Sequence, residues 1–286
     1  MASSYDSPLN LLVSWPYFKG GILSLVCEHR DRLRLLVDSG AFTAWKAGKT
    51  LVLDDYCAFL DALPVTPWRY FTLDIIGDAI STRQQYDEMR ERGYTPVPVF
   101  TRGDDPHDLD YYYETSDVVA LGGLVGTKGN REFVKGIMEY VGTRKVHWLG
   151  FTAHPFLLHY RPFMCDTSSW ASSDRFGGNS VNSLQLYMGR GKFHRSGMAH
   201  FENAPERVVA DKIRSYGVDP RDLGDVTGWR GVSSANRKLN AASVVRYSLD
   251  LERNLGVRYF LSAPEADRAR LAIEAHAREV PVCQAP

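Results

Sequence analysis

The sequence has few cysteines, and no two of them are close together. Only four of its 286 residues are cysteine, and none stands in a Cys-x-x-Cys pair. We therefore expect neither a structural zinc site nor a disulfide scaffold. Long apolar runs are missing as well. None approaches the roughly 20 residues of a membrane helix, so no membrane partner is expected.

An excess of one charge is also missing. Lysine and arginine number 34, as do aspartate and glutamate, so the formal net charge is zero. A nucleic-acid partner would therefore have to bind a local basic patch. The first residues, MASSYD, have neither the basic region nor the apolar core of a secretion signal. We expect a soluble protein of the cytoplasm.

Short apolar runs alternate with longer amphipathic stretches along most of the chain. This alternation predicts strands and helices in turn, as in a parallel sheet covered on both faces. The predicted strands are 9–15, 33–37, 69–76, 95–100, 118–124, 145–151, 162–167 and 257–262. The predicted helices between them are 54–63, 80–92, 131–141 and 264–276. Pro96 and Pro98 argue against the fourth strand, because proline removes ladder hydrogen bonds.

Eight such strands predict an α/β fold, a (β/α)8 barrel of the TIM type, in one domain over residues 1–286. The alternation of strands and helices stops between the last two predicted strands. Residues 170–195 are rich in serine, glycine, asparagine and arginine, which favours loop or irregular structure. Helix patterns follow at 205–216 and 234–255. We interpret 170–256 as a large insertion of mixed loop and helix, without a zinc subdomain.

An aspartate follows apolar residues in three of the predicted strands. Asp38 comes after Leu-Leu-Val, Asp74 after Phe-Thr-Leu and Asp166 after Phe-Met-Cys. An acid there is costly to bury unless it is hydrogen-bonded or used. A single one is more often a helix cap or turn former. Three at equivalent positions favour a function, because barrel chemistry lies at the carboxyl ends of the strands.

Other residues near these strand ends have two interpretations each. Gly122 and Gly123 end the fifth strand, where paired glycines either let a ligand approach the backbone or form a tight turn. Phe42, just past Asp38, suits either a planar ligand or the core. The eight histidines show no metal-ligand spacing, so we expect them in polar packing and assign no metal.

Four motifs, in this order, resemble segments of the tRNA-guanine transglycosylase superfamily. Residues 37–42, VDSGAF, resemble the Asp-Ser-Gly-Gly-aromatic motif of the queuine and archaeosine enzymes. Residues 120–126, ALGGLVG, resemble their Val-Gly-Gly-Leu-Ala-Val-Gly segment, and residues 148–151, WLGF, their Leu-Met-Gly-Val. Asp166 falls where the family keeps its nucleophilic aspartate. The order and approximate spacing agree over residues 9–167.

The resemblance implies a role for each of these residues. Asp166 would attack the sugar C1′ of a guanine nucleotide, and Asp38 would be the general acid/base. Asp74 would accept hydrogen bonds from the N1–H and 2-amino edge of the base. The residues implied to contact the rest of the base are Phe42 and Leu149 on its ring faces, and the backbone of Gly122, Gly123 and Leu124 on its carbonyl edge.

The chain also departs from the family. The Cys-x-Cys-x-x-Cys…His zinc site has no counterpart after Asp166, and Ala41 and Thr43 replace a glycine and a glutamine. A shortened, zinc-free relative of this kind resembles the phage 7-deazaguanine DNA transglycosylases, and if a phage encodes this chain, the cytoplasm expected is that of the host. These enzymes exchange guanine in DNA for a deazapurine. The resemblance therefore implies two partners, DNA with a flipped or single-stranded guanine nucleotide and a free 7-deazapurine base such as preQ0, and no cofactor.

Residues after Asp166 combine cations with aromatic rings, which suits a nucleic-acid groove if the barrel is formed. Apart from the resemblance, a solvated loop with aromatic anchors is the simpler interpretation. The expected nucleic-acid contacts are Arg175, Arg190, Lys192 and Arg195.

Three other functions stay open at the level of sequence. The same base exchange could act on tRNA, the carboxylate pair could hydrolyse a nucleoside or DNA glycosidic bond, or the chain could be an inactive nucleic-acid-binding module. A homodimer also stays open.

Overall fold

The computed structural model describes residues 7–124, 130–172, 184–196, 207–224 and 234–280. The strands are β1 (Leu9–Ser14), β2 (Leu33–Asp38), β3 (Arg69–Tyr70), β4 (Val99–Thr101), β5 (Val118–Gly122), β6 (Lys145–Trp148), β7 (Met164–Thr167), β8 (Leu184–Gly189), β9 (Lys192–Ser196) and β10 (Arg258–Ser262). The helices are α1 (Gly21–Glu28), α2 (Ala41–Lys46), α3 (Leu53–Ala62), α4 (Ala79–Glu91), α5 (Pro106–Thr115), α6 (Asn130–Val141), α7 (His154–Tyr160), α8 (Ser169–Ser172), α9 (Arg207–Ser215), α10 (Ser234–Leu255) and α11 (Ala266–Glu279).

Eight of these strands form one parallel sheet in the order β3-β2-β1-β10-β7-β6-β5-β4. Its two edges meet at a parallel bridge between Phe71 and Val97. There the Val97 amide donates to the Tyr70 carbonyl at 2.8 Å, and the Thr72 amide donates to the Val97 carbonyl at 3.0 Å. The α/β class is confirmed, and the curled sheet is compatible with a TIM-type fold.

The fourth strand is shorter and later than the predicted 95–100. It covers Val99–Thr101, because the two prolines before it cannot donate ladder bonds. Val97 stands between them and donates its amide to the opposite edge. Pro98 has no amide hydrogen to donate to β5, and the carbonyl of Val118 on β5 accepts from the Ser116 hydroxyl at 2.7 Å. The prolines therefore shorten the strand without leaving the sheet open at this edge.

Apolar side chains form two layers around the sheet. An inner cluster comes from the strands and their flanks, whereas the larger outer cluster also includes the helices. The inner cluster contains Leu12, Leu36, Phe71, Val97, Val99, Val118, Ala120, Met164 and Phe260. This packing fills the interior below the carboxyl ends of the strands.

Charged and aromatic side chains cover the amino-terminal end of this interior. Trp68 packs against Phe260 with ring centroids 5.8 Å apart, and the Arg258 guanidinium lies 4.4 Å from the Phe163 ring. Nearby, Arg34 Nη1 lies 2.6 Å from Glu252 Oε1. The amino-terminal end is thus filled by side chains.

The prediction of irregular structure for residues 170–195 is wrong over 184–195. There β8 and β9 form an antiparallel hairpin. Its turn has positive φ at Gly189 (100°), Arg190 (50°) and Gly191 (72°). The alternating Leu-Gln-Leu-Tyr pattern before the Gly-Arg-Gly turn is a hairpin signal that the serine- and glycine-rich composition of the stretch concealed.

Helix α10 matches the predicted 234–255 and packs against β10 and α11. Within the described ranges, no helix is both long and apolar enough to cross a membrane.

Candidate active site

The alternation of side chains along a strand places two carboxylates in the interior of the curled sheet. Leu36 of β2 and Met164 of β7 belong to the inner cluster. Asp38 and Asp166 stand two residues further on, so they face the same interior at the carboxyl ends of their strands. Barrel enzymes keep their catalytic groups at this end.

Asp166 is held through one of its two oxygens. The Gly150 amide donates to Asp166 Oδ1 at 2.9 Å, and His147 Nε2 lies 2.9 Å from the same oxygen. Asp166 is 9% exposed. Two polar groups thus converge on Oδ1 and hold the carboxylate in place.

His147 is a site residue that the sequence did not reveal as one. It lies in β6, is fully buried, and its ring centroid is 4.8 Å from that of Phe71. One signal in the sequence could have indicated it: His147 stands two residues before Leu149, so both side chains are expected on the inward face of the sixth strand. The expectation of polar packing for the histidines did not include a bond to Asp166.

Asp38 is bonded to its own turn and to the neighbouring strand. The Gly40 amide donates to Asp38 Oδ2 at 3.2 Å, and the Ser14 side chain also hydrogen-bonds to the carboxylate. Burial raises the pKa of Asp38, and the negative charge of Asp166 raises it further against these hydrogen bonds. The charge of Asp166 therefore acts on Asp38, which holds a proton more readily than an exposed aspartate does.

Asp74 follows β3 in irregular chain and is connected to the same turn. The Ser39 hydroxyl donates to Asp74 Oδ1 at 3.0 Å. Burial, followed by the charge of Asp38, raises the pKa of Asp74 to about 7. Adjacent residues of one turn thus contact two carboxylates, Asp38 and Asp74.

Gly40 gives this turn its shape. Its φ is 80°, and a Cβ built on it would lie 2.5 Å from Pro16 Cδ. A side chain at this position would clash with Pro16 and strain the backbone. The Ala41 amide then donates to the Ser39 hydroxyl at 3.3 Å, at the start of α2. The conformation of the turn therefore depends on glycine.

Phe42, predicted to stack on a ligand, is on the surface rather than in the core. It is 53% exposed, and its ring lies 6.0 Å from that of Trp45 at an interplanar angle of 25°. The Lys46 ammonium is 4.3 Å from the centre of the Phe42 ring. This exposed aromatic pair with a cation lies in α2, which begins three residues after Asp38.

The glycine pair lies at the end of β5. The Gly122 carbonyl accepts from the Arg102 amide at 3.3 Å, and Gly123 has φ 70° in an exposed turn. A Cβ on Gly122 would lie 3.7 Å from Leu149 Cδ1, so the half-buried Leu149 covers this glycine. The Leu124 side chain is 1% exposed and belongs to the outer core.

Two of the four predicted nucleic-acid contacts have described side chains, and both are exposed. Arg190 lies in the turn of the hairpin, and Lys192 begins β9. A Cβ on Gly191, between them, would lie 3.4 Å from His154 Nε2, at the start of α7. The tip of the hairpin thus reaches the loop that follows β6. Arg195 lies in β9 with its side chain outside the description, and Arg175 lies outside the described residues.

Tyr187 and Phe193 anchor the hairpin to the barrel. The Phe193 ring lies 5.4 Å from that of His154 and 4.8 Å from that of Tyr247 on α10. The Tyr187 hydroxyl donates to Asp250 Oδ2 at 2.6 Å. These contacts fix the two exposed cations on the side of the barrel where the strands end.

Among the described residues, no group of three or more His, Cys, Asp or Glu side chains could hold a metal ion. Comparison with protein-family models, with curated proteins and with solved structures finds no match to this chain.

The arrangement has a definite chemical capacity. One carboxylate, Asp166, is held in place through Oδ1, while burial disposes Asp38 and Asp74 to carry protons. Pairs of acids whose environments differ in this way are suited to nucleophile and acid/base roles.

Proposed function

We propose that this chain is a base-exchange glycosyltransferase that replaces guanine in DNA with a 7-deazaguanine derivative. The observation that carries the proposal is the coupling of Asp38 to Asp166 at the carboxyl ends of two strands of one curled sheet. The resemblance of residues 37–42, 120–126 and 148–151 to the guanine transglycosylases supports the same chemistry.

In the first displacement, Asp166 attacks C1′ of the guanine nucleotide. A bond forms between a carboxylate oxygen and C1′, the bond from C1′ to guanine N9 breaks, and its electron pair leaves with the base. Asp38 gives its proton to the departing guanine. This is the logic of a retaining glycosidase, with an ester of Asp166 as the intermediate.

The second displacement reverses the first with a new base. Asp38, now ionised, takes the proton from N9 of the incoming 7-deazapurine, N9 bonds to C1′, and Asp166 leaves as a carboxylate. While Asp166 is an ester it carries no charge, so the repulsion that raised the pKa of Asp38 is relieved. Asp38 can therefore remain ionised until the new base arrives.

Asp74 reads the base in this proposal. Its ionised carboxylate accepts two hydrogen bonds, which fits the N1–H and 2-amino donors of guanine and 7-deazaguanine. Adenine has no 2-amino donor, so it would leave one acceptor unpaired. Gly122 and Leu149 lie together at the strand ends and suit the opposite edge and one face of the ring.

The exposed cations and aromatic rings around the strand ends support a polynucleotide substrate. Arg190 and Lys192 on the hairpin suit phosphates, and the stacked pair of Phe42 and Trp45 suits an unpaired base. An enzyme that reaches C1′ needs the nucleotide flipped out or single-stranded.

Incubation of the protein with labelled guanine and either DNA or tRNA tests the proposal. We expect label in DNA, and a covalent protein–DNA adduct on a denaturing gel that D166A abolishes. Label only in tRNA would replace DNA by tRNA as the substrate. Release of free base with abasic product and no need for an incoming base would indicate a hydrolase. Binding without any adduct or exchange would indicate an inactive binding module.

A further inference from the structure

A buried histidine contacts the proposed nucleophile. His147 is 0% exposed, and its Nε2 lies 2.9 Å from Asp166 Oδ1. The Gly150 amide donates to the same oxygen, also at 2.9 Å. No described residue hydrogen-bonds to the other oxygen, Oδ2.

We infer that His147 is a positioning residue that makes Oδ2 of Asp166 the attacking atom. This inference rests on the proposed function and adds a residue to it. A carboxylate rotates about its Cβ–Cγ bond unless its oxygens are held. Two donors on Oδ1 stop that rotation and keep its lone pairs occupied, so Oδ2 alone is available to bond to C1′.

The surroundings of the ring determine which nitrogen carries the proton. His147 Nδ1 is buried and has no hydrogen-bond partner among the described atoms, and the ring packs against Phe71. A proton on Nδ1 would leave a buried N–H donor unpaired, whereas a proton on Nε2 faces an acceptor, Asp166 Oδ1. The proton therefore belongs on Nε2, and His147 donates to Oδ1.

The same bond serves both displacements. When Oδ2 bonds to C1′, Oδ1 becomes the carbonyl oxygen of the ester and still accepts from His147 and Gly150. When the incoming base displaces Asp166, the electron pair of the Oδ2–C1′ bond returns to the carboxylate, and the donors stabilise the charge that develops. No proton moves to or from His147 in either step.

A purely structural role does not account for this histidine. An apolar side chain would fill the space beside Phe71 without leaving Nδ1 unpaired in the interior. The cost of that buried nitrogen is understandable if Nε2 is needed by Asp166.

Single-turnover kinetics on three variants test the inference. H147F removes the donor and keeps a ring, whereas H147Q places an amide donor near the former Nε2. H276F is the matched control, because His276 is also buried but bonds through Nε2 to the Ser7 carbonyl, far from Asp166 in the barrel. The readouts are the rate of adduct formation with saturating DNA, the dissociation constant for DNA, and the thermal unfolding of each variant.

We expect H147F to form the adduct about 10- to 100-fold more slowly, with the dissociation constant for DNA changed less than about twofold. H147Q should recover most of the rate, and H276F should keep it. If H147F does not fold, H147M, which also has no donor, replaces it. Wild-type rates in a folded donor-free variant, or no recovery of the rate in H147Q, would overturn the role of His147 but not the proposed function. A wild-type protein that forms no adduct would overturn the proposed function and this role with it.

Discussion

Ser14 and Asp38 are register partners at the ends of β1 and β2, and the serine side chain is hydrogen-bonded to the carboxylate. This bond favours the ionised form and lowers the pKa of Asp38, whereas burial and the charge of Asp166 raise it. The balance of these influences, rather than any one of them, sets how firmly the proposed general acid holds its proton.

Removing the Ser14 hydroxyl should therefore raise the pKa of Asp38 further. Because the first displacement uses protonated Asp38, S14A should form the adduct up to higher pH. We expect the basic limb of the pH–rate profile to move up by about 0.5 to 1 pH unit. S262A is the control, since Ser262 ends the neighbouring strand β10. A basic limb that stays in place in S14A would contradict the role of Asp38.

The affinity for the free base should depend on the ionisation of Asp74. Its pKa is raised to about 7 by burial and by the charge of Asp38, and only the ionised form offers two acceptors to a guanine edge. Titration calorimetry with 7-deazaguanine should show affinity about tenfold lower at pH 6 than at pH 8. D74N should bind weakly at both values. Equal affinity of the wild type at the two values would argue against Asp74 as the reader of the base.

Asp74 should also make the folded protein less stable as pH rises. Its pKa is raised from 3.8 to about 7 on folding, so its contribution is most favourable below pH 4 and is lost as pH rises to 7. Asn is neutral at all pH values and can still accept from Ser39. D74N should therefore exceed the wild type in unfolding free energy by on the order of 1–3 kcal/mol at pH 8, with no excess near pH 4.

Urea unfolding at several pH values measures this difference. D78N is the matched control, because Asp78 caps α4 by accepting from the Ser81 amide, and its pKa is lowered rather than raised. We expect the difference between D78N and the wild type to be flat from pH 5 to pH 8. A flat difference for D74N over the same range would mean that the pKa of Asp74 is not raised.

Replacing Arg190 with glycine should raise the stability of the fold and weaken DNA binding. It is one of only two non-glycine residues with positive φ in the described ranges, and such a conformation costs about 1 kcal/mol for an arginine. R190G should raise stability by about that amount and weaken DNA binding, with the salt dependence of the affinity reduced by about one phosphate contact. R190K keeps the charge and should keep the affinity. Unchanged DNA binding in R190G would remove Arg190 from the nucleic-acid surface.

The sequence was most informative about positions where a local residue pattern agrees with a general rule of the fold. Asp38 and Asp166 follow apolar residues at strand ends, so both the pattern and the rule that barrel chemistry lies there point to them. His147 was missed because it lies within a strand, and its role depends on which side chain faces it across the interior. No pattern within one strand records that contact.

The lengths of the strands were predicted less well than their order. The expected strand 69–76 pairs only at Arg69–Tyr70 and at the bridge of Phe71, because beyond it the chain leaves the sheet toward Asp74. Helix α2 was also missed. Its six residues are too few for a periodic pattern, and the Gly40 turn that starts it depends on contact with Pro16.

The filled amino-terminal end of the barrel constrains the order of events in an exchange. Trp68 and Phe163, with the Arg258 guanidinium over the Phe163 ring, occupy the end opposite the acids. In the proposed exchange, a base can therefore come and go only through the end where the strands finish, beside the polynucleotide. The departing guanine must leave before the incoming base binds. This order gives ping-pong kinetics, with parallel lines in double-reciprocal plots and with free guanine competing directly against the incoming base.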